Sequence, residues 1–116
     1  MKIKPFYHHH KQMSRLGRYH WSIARLIELT KDFPVMGIHL DHLNIYHRYK
    51  DLSIRDMVMH FKAVKNADLS CPIILDEEGD IMDGRHRIIR ALIAGVKTIK
   101  AVRFEENPSP CQVDAE

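Results

Sequence analysis

The chain has 116 residues and a formal net charge of +3, with 45% hydrophobic and 28% charged residues. These values are ordinary for one globular domain with a modest core. Because the sequence contains no apolar run of membrane length and no signal-peptide stretch, we expect a cytoplasmic protein with no membrane partner. The two cysteines, Cys71 and Cys111, are far apart in no metal-type spacing, which predicts free thiols.

Positive charge is concentrated at the start of the chain, where six basic residues precede the first acidic residue, Glu28, and only acidic charges follow Arg103. This asymmetry predicts a basic arm over residues 1–19, a folded domain over residues 20–106 and an acidic tail over residues 107–116. The arm is a candidate for binding nucleic acid. Its basic residues are Lys2, Lys4, Lys11, Arg15 and Arg18. The alternative is that this charge is simply solvated.

The first half of the chain gives few regular patterns. Residues 1–19 have no clean period, which favours an extended arm. Apolar residues at helical spacing predict a helix over residues 20–33, ended by the Phe33-Pro34 pair. After a link over residues 35–37, alternation from Ile38 predicts a strand, and a slip near Leu43 indicates a bulge or the strand end.

A stronger helix signature begins at Ser53. Ser53 can cap the helix, and Asp56 three residues later resembles the second member of a capping box. An apolar stripe follows, with Asn66 as the terminator. Its members are Ile54, Met57, Val58, Phe61 and Val64. We expect this stripe to face the core.

The second half of the chain predicts, in order, a strand, a turn, a second strand, a loop, a helix and a third strand. Residues 73–75 and 81–82 are short apolar runs separated by turn residues 76–79. A helix starts at Gly84 and stops at Gly95, and alternation over residues 98–104 predicts a closing strand. The fold class expected is α+β, with a small mixed sheet flanked by about three helices.

The loop that enters the helix at Gly84 is a candidate anion site. Free N–H groups and the helix dipole favour negative charge at such an end. Asp83 can cap the helix, and Gly84 permits a sharp turn. The residues predicted to bind nucleotide or phosphate are Gly84, Arg85, His86, Arg87 and Arg90. The alternative is a set of solvated basic residues on a surface helix.

The sequence Asp83-Gly84-Arg85-His86-Arg87, with the hairpin before it and a helix and Gly95 after it, resembles the signature of the ParB/sulfiredoxin-like superfamily. That loop reads Gly-Gly-Cys-His-Arg in sulfiredoxins, Gly-Glu-Arg-Arg in ParB proteins and Asp-Gly-His-His-Arg in free-serine kinases, which are the nearest match. The resemblance covers residues 38–104. It implies a loop that holds nucleotide phosphates, and a nucleoside di- or triphosphate with Mg²⁺ as ligand.

The resemblance leaves three functions open. A ParB-like nucleotide-binding protein associated with DNA, of partition or nuclease type, is the leading one. A small-molecule kinase of the free-serine type is the second, and a non-catalytic interaction module is the third. Arg85 stands where sulfiredoxins carry their reactive cysteine, so sulfinic-acid reduction is not expected.

Catalytic residues are not evident from the sequence. The serine kinases carry a carboxylate base after the first strand, whereas residues 46–49 contain none and Asp51 is the only acid nearby. Asp83 is the one catalytic candidate, with helix cap as its alternative role. His39 and Asp41 could share one face of a strand and hold a metal, but solvent-facing polar residues are the simpler interpretation, and no metal site is predicted.

Overall fold

A computed structural model describes residues 13–46 and 51–115 of the chain. Within these ranges the protein is an α+β fold with a three-stranded sheet, a four-stranded sheet and three helices, which confirms the predicted class. The strands are β1 (Met13–Leu16), β2 (Tyr19–Ser22), β3 (Met36–His39), β4 (Ile73–Leu75), β5 (Ile81–Asp83), β6 (Thr98–Arg103) and β7 (Gln112–Val113). The helices are α1 (Ile23–Thr30), α2 (Ile54–Lys65) and α3 (Arg85–Ala94). None of the helices in the described ranges is long and apolar enough to span a bilayer.

The four-stranded sheet has the order β3-β6-β4-β5, with β4 and β6 parallel and the other pairs antiparallel. The β4–β5 hairpin and α3 therefore form the connection between the two parallel strands. The hairpin turn is held by the buried carboxylate of Asp76, whose Oδ1 accepts hydrogen bonds from the backbone N–H groups of Glu78 and Asp80, both at 2.8 Å. The predicted turn is confirmed, and its first acidic residue is structural.

Alternation along β4 divides the core into two layers. Ile73 and Leu75 pack with Ile88 and Ala91 of α3 on one face of the sheet. Ile74 points the other way, into a cluster that contains Leu26 of α1. Strand β4 is buried on both faces, and both β5 and α3 contact it. The loop between β5 and α3 is therefore positioned by contacts with the core.

The two ends of the described chain form the three-stranded sheet, in the order β1-β2-β7. The described part of the predicted arm is not an unpaired extended segment, because residues 13–22 form a hairpin that turns at Gly17. Within the predicted acidic tail, β7 pairs with β2. Trp21 fixes this arrangement, because it is buried and its Nε1 donates to the carbonyl oxygen of Pro108 at 2.9 Å. Residues 20–22 are therefore strand and not the predicted start of a helix.

Two other boundaries differ from the prediction. The first strand of the large sheet begins at Met36, inside the predicted link, because residues 36–39 pair with β6. It ends at His39, and a 3₁₀ turn over Leu40–His42 follows. This turn explains the slip in the apolar pattern, since it buries both Leu40 and Leu43.

Helix α2 has the predicted ends but not the predicted packing. Its capping box is complete and Asn66 is its C-cap, as expected. Most of its apolar stripe, however, is exposed: Ile54 retains 84% of its accessible surface and Phe61 retains 64%, and only Val64 is buried. The inner face of α2, which rests on α3, includes small and polar side chains such as Ala63 and His60.

Candidate anion-binding site

Helix α3 begins directly after β5, and Gly84 is its N-cap residue. Gly84 has a φ of 115° and makes no side-chain capping hydrogen bond. Asp83 was expected to cap the helix, but its carboxylate instead accepts from the Arg87 guanidinium at 3.0 Å, one turn along. Within residues 13–46 and 51–115, therefore, no side chain caps the first turn of α3, and its N–H groups are left for water or a ligand.

The glycine at position 84 is required by packing as well as by its positive φ. A Cβ at this position would lie 2.7 Å from Ile73 Cβ and 3.2 Å from Ile73 Cα. The close approach is therefore to the centre of β4. Gly84→Val would therefore collide with the core, so this variant cannot by itself test whether phosphate reaches the loop.

A pocket of about 500 Å³ opens in front of this helix end. One wall is the loop and first turn, residues 83–87. The facing side comes from α2 through His60 and Ala63, and from the N-terminal hairpin through Ser14. The site is thus assembled from three segments that are distant in sequence.

Four of the five predicted binding residues line the pocket, but Arg87 is already engaged. Its guanidinium donates to the carbonyl oxygen of Pro72 at 2.6 Å and to Asp83 at 3.0 Å. Arg87 therefore ties the start of β4 to the end of β5. Arg85 makes only one long hydrogen bond within the described residues, from Nη2 to Ile81 O at 3.4 Å, and is the arginine best able to meet a ligand.

Arg90 does not reach this pocket. Its guanidinium donates to the carbonyl oxygens of Val64 and Lys65 at the C-terminal end of α2. The helix dipole stabilises a positive charge at the C-terminal end of α2. Arg90 therefore joins α3 to α2, and it is not part of the candidate anion-binding site.

His86, in the first turn of α3, is paired with His60 of α2. His86 Nε2 and His60 Nδ1 lie 2.7 Å apart, so one ring donates a hydrogen bond to the other. Burial lowers the pKa of His86 below its usual value, and His60 and Arg87 lower it further, whereas Asp83 opposes them. Sequence reasoning missed His60; the only signal was a titratable residue within the apolar run of α2.

Ser14 is the second residue that the sequence did not indicate. It is 2% exposed, and its Oγ has no hydrogen-bond partner within the described residues. A buried hydroxyl without a partner is costly and uncommon in folded proteins. Ser14 belongs to the pocket lining, although its Oγ has almost no accessible surface of its own.

The residues predicted to bind nucleic acid are only partly described. Arg15 hydrogen-bonds to Gly17 O and lies 3.5 Å from the Asp114 carboxylate, while the Arg18 guanidinium lies 5.6 Å from the ring centre of Tyr19. The negative charge of Asp114, in the predicted tail, thus partly balances the positive charge of Arg15, in the predicted arm. Lys2, Lys4, Lys11 and histidines 8–10 lie outside the described residues.

No cluster of three or more metal-ligating side chains occurs within residues 13–46 and 51–115. His39 Nδ1 accepts from the backbone N–H of Asp41 at 3.2 Å, so this pair supports the 3₁₀ turn. The only acidic residue in the pocket lining is Asp83, which is paired with Arg87. Among the described lining residues, a Mg²⁺ ion would meet one carboxylate, which is already paired.

Comparison with known proteins adds no assignment, because no family model, no curated protein and no solved structure matches this chain.

Proposed function

We propose that this protein binds a phosphate-bearing small molecule in the pocket at the start of α3. The observation that carries the proposal is a helix N-terminus that no described side chain caps and that opens into a pocket lined by Arg85 and His86. Free N–H groups and the helix dipole suit an anion. The resemblance of residues 83–87 to the phosphate-holding loop of the ParB/sulfiredoxin-like superfamily points the same way.

The shape of the site favours a free metabolite or nucleotide over DNA. A concave pocket of about 500 Å³ lies in the usual range for small-molecule sites. The two described arm residues, Arg15 and Arg18, do not line it. Binding of DNA through these two arginines would therefore use a different surface.

Binding is also better supported than phosphoryl transfer. A kinase needs a base or an orienting group near the acceptor, and usually a metal. Asp83 is the only acidic residue in the lining, and its carboxylate accepts from Arg87 at 3.0 Å. We therefore favour a ligand-binding role and keep the serine-kinase type as the second candidate.

The test is a calorimetric titration with inorganic phosphate and AMP. Arg85→Ala should weaken AMP binding by roughly tenfold to a hundredfold, because a charge-assisted hydrogen bond is lost. Lys100→Ala is the matched control, since it removes one positive charge from an exposed position on β6. Equal affinity in wild type and Arg85→Ala, or an equal loss in both variants, would place the anion elsewhere.

A further inference from the structure

We infer that the outer face of α2 is a docking site for an acidic amphipathic helix of a partner protein. This outer α2 face consists of four apolar side chains at the i, i+3, i+4, i+7 spacing of one helix side, Ile54, Met57, Val58 and Phe61, together with Ile93 of α3. None of these residues lines the pocket at the start of α3, so the inference is independent of the proposed function.

The outer α2 face is apolar and exposed. Ile93 retains 76% of its accessible surface, in addition to the exposed Ile54 and Phe61. A surface helix ordinarily turns such a stripe toward the core, and a contiguous apolar patch on the surface marks an interaction site. Phe61 and Ile93 also line one groove of about 430 Å³, between the C-terminal halves of α2 and α3. The side chains of a partner can therefore enter this surface rather than only touch it.

Helix α2 is already formed in the free chain. Its capping box satisfies first-turn N–H groups and Asn66 closes its C-terminal end, although the helix buries only Val64. The apolar side chains are therefore held in register without a partner. Because binding does not have to order this helix, the entropic cost of association is reduced.

The charges that border the groove are positive. Lys65 and Arg90 belong to its lining, and no acidic residue of the described ranges does. Arg90 already meets the C-terminal carbonyl groups of α2, whereas Arg55, Lys62 and Lys65 make no ion pair within residues 13–46 and 51–115. The acidic residue of α2, Asp56, is held in the capping box. Carboxylates on a partner would supply the matching charge.

The remainder of the chain does not reverse this sign. Residues 1–12 and 47–50, which lie outside the described ranges, contain basic and neutral side chains and no acidic one, and Glu116 is the one acidic residue that the structure leaves undescribed. Asp51 is exposed, but it precedes the N-terminal end of α2, and the groove lies at the other end of the helix.

The positive border also separates the possible occupants. A second copy of this chain would bring its own Arg55, Lys62 and Lys65 against the same set, and like charges oppose such a pairing. An anionic bilayer matches the charge, but a flat surface would leave the groove between α2 and α3 unfilled. An amphipathic helix supplies both apolar side chains for the groove and carboxylates for its rim.

The first experiment compares two synthetic peptides by calorimetry on the full chain. Both are about 18 residues long, which is enough to form a helix, and both carry leucine at positions i, i+3, i+4 and i+7. One has glutamate at the flanking positions and the other has lysine. We expect the glutamate peptide to bind roughly tenfold more tightly, with a difference that shrinks as salt screens the charges.

The second experiment removes the aromatic side chain from the groove. Phe61→Ala should weaken binding of the glutamate peptide by roughly tenfold and change the melting temperature little, because the side chain is 64% exposed in the free protein. Met59→Ala is the matched control. Met59 is 63% exposed on the same helix, but it stands two residues from Phe61 and so lies on another side. The control should leave the affinity unchanged.

The third experiment reverses one charge at the groove. Lys65→Glu should weaken binding of the glutamate peptide and strengthen binding of the lysine peptide, because the side chain at this position lines the groove. Lys100→Glu is the control for a change in net charge, since Lys100 is exposed on β6 and does not line the groove. It should leave the preference between the two peptides as in wild type.

Equal affinity for the two peptides, binding of neither, or unchanged affinity in Phe61→Ala would overturn the inference. A wild-type dimer in sedimentation that Phe61→Ala dissociates would assign the face to a second copy instead. Binding to phosphatidylglycerol vesicles that Phe61→Ala abolishes, without peptide binding, would assign it to a membrane surface. If Phe61→Ala does not fold, the peptide pair on the wild-type chain and on Lys65→Glu still decides the question.

Discussion

The N-termini of α2 and α3 solve the same physical problem in opposite ways. In α2 the Ser53 hydroxyl accepts from the Asp56 N–H at 3.0 Å, and the Asp56 carboxylate accepts from the Ser53 N–H at 3.3 Å. In α3 the N-cap is Gly84, and none of the described side chains caps the turn. The first helix end satisfies its own N–H groups, while the second is available for an external anion.

The two helices also differ in burial, and here α3 is the better stabilised of the two. Helix α3 buries Ile88 and Ala91 against the sheet, whereas α2 leaves Ile54 and Phe61 exposed. The helix with the strong cap has weak burial, and the helix without a cap is fixed by the core. Local capping thus contributes most where tertiary packing contributes least, and the well-packed helix is free to present an unsatisfied end.

The largest expected effect that tests this contrast is at Gly84. Gly84→Val should lower the free energy of unfolding by about 3–5 kcal/mol, because it adds backbone strain at positive φ and a collision with Ile73. Urea denaturation measures this directly.

Gly37→Val is the control for that experiment, since a Cβ at Gly37 meets no atom within 4 Å and the residue lies in β3. It should remain within about 1 kcal/mol of wild type. Similar losses in both variants would mean that the close packing of the α3 entry on β4 is not what fixes the helix.

A smaller effect is expected at the capped end. Ser53→Ala should lower the free energy of unfolding by about 1 kcal/mol, because it removes the side-chain acceptor of the capping box. Thermal melting is the measurement, and Ser109→Ala, at an exposed position outside the helices and strands, is the control. A change no larger than that of the control would show that α2 gains little from its cap.

These two helix ends also show what the sequence could reveal. Ser53 and Asp56 stand three residues apart, and Gly84 directly follows a strand, so both signals are local and both helices were predicted. The wrong assignment of the cap to Asp83 has a physical reason: Arg87 lies one turn away and binds the carboxylate. A short-range rule cannot tell which of two nearby partners the side chain will take.

The remaining parts of the site depend on long-range contacts. His60 meets His86 across 26 residues, and Ser14 reaches the pocket only because β1 pairs with β2. The β7 strand is two residues long and carries no periodic signal. The apolar stripe of α2 had the right period, but period alone does not fix which neighbour covers a helix face.

The smallest expected effect is a pH dependence at the uncapped end. The folded-state pKa of His86 lies below its usual value of 6.5, chiefly because of burial, so the unfolded chain takes up this proton first as pH falls. The contribution of His86 to stability is therefore complete above pH 6.5 and is lost as the pH falls through the lowered folded value.

Urea midpoints at pH 7.5 and pH 5.5 measure this effect. The wild-type midpoint should fall more between the two conditions than the midpoint of His86→Gln. His42→Gln, at an exposed position in the 3₁₀ turn, should behave like wild type. The same pH dependence in wild type and His86→Gln would show that the histidine pair does not set it.

The hydrogen bond from Trp21 to Pro108 gives the protein a built-in optical probe. Trp21 is the only tryptophan in the chain, and it is 3% exposed. Its indole joins the N-terminal hairpin to the segment before β7. Excitation at wavelengths that tryptophan absorbs and tyrosine does not therefore gives a fluorescence signal from Trp21 alone. A shift of this emission to longer wavelength would record the release of the C-terminal segment from β2 without any added label.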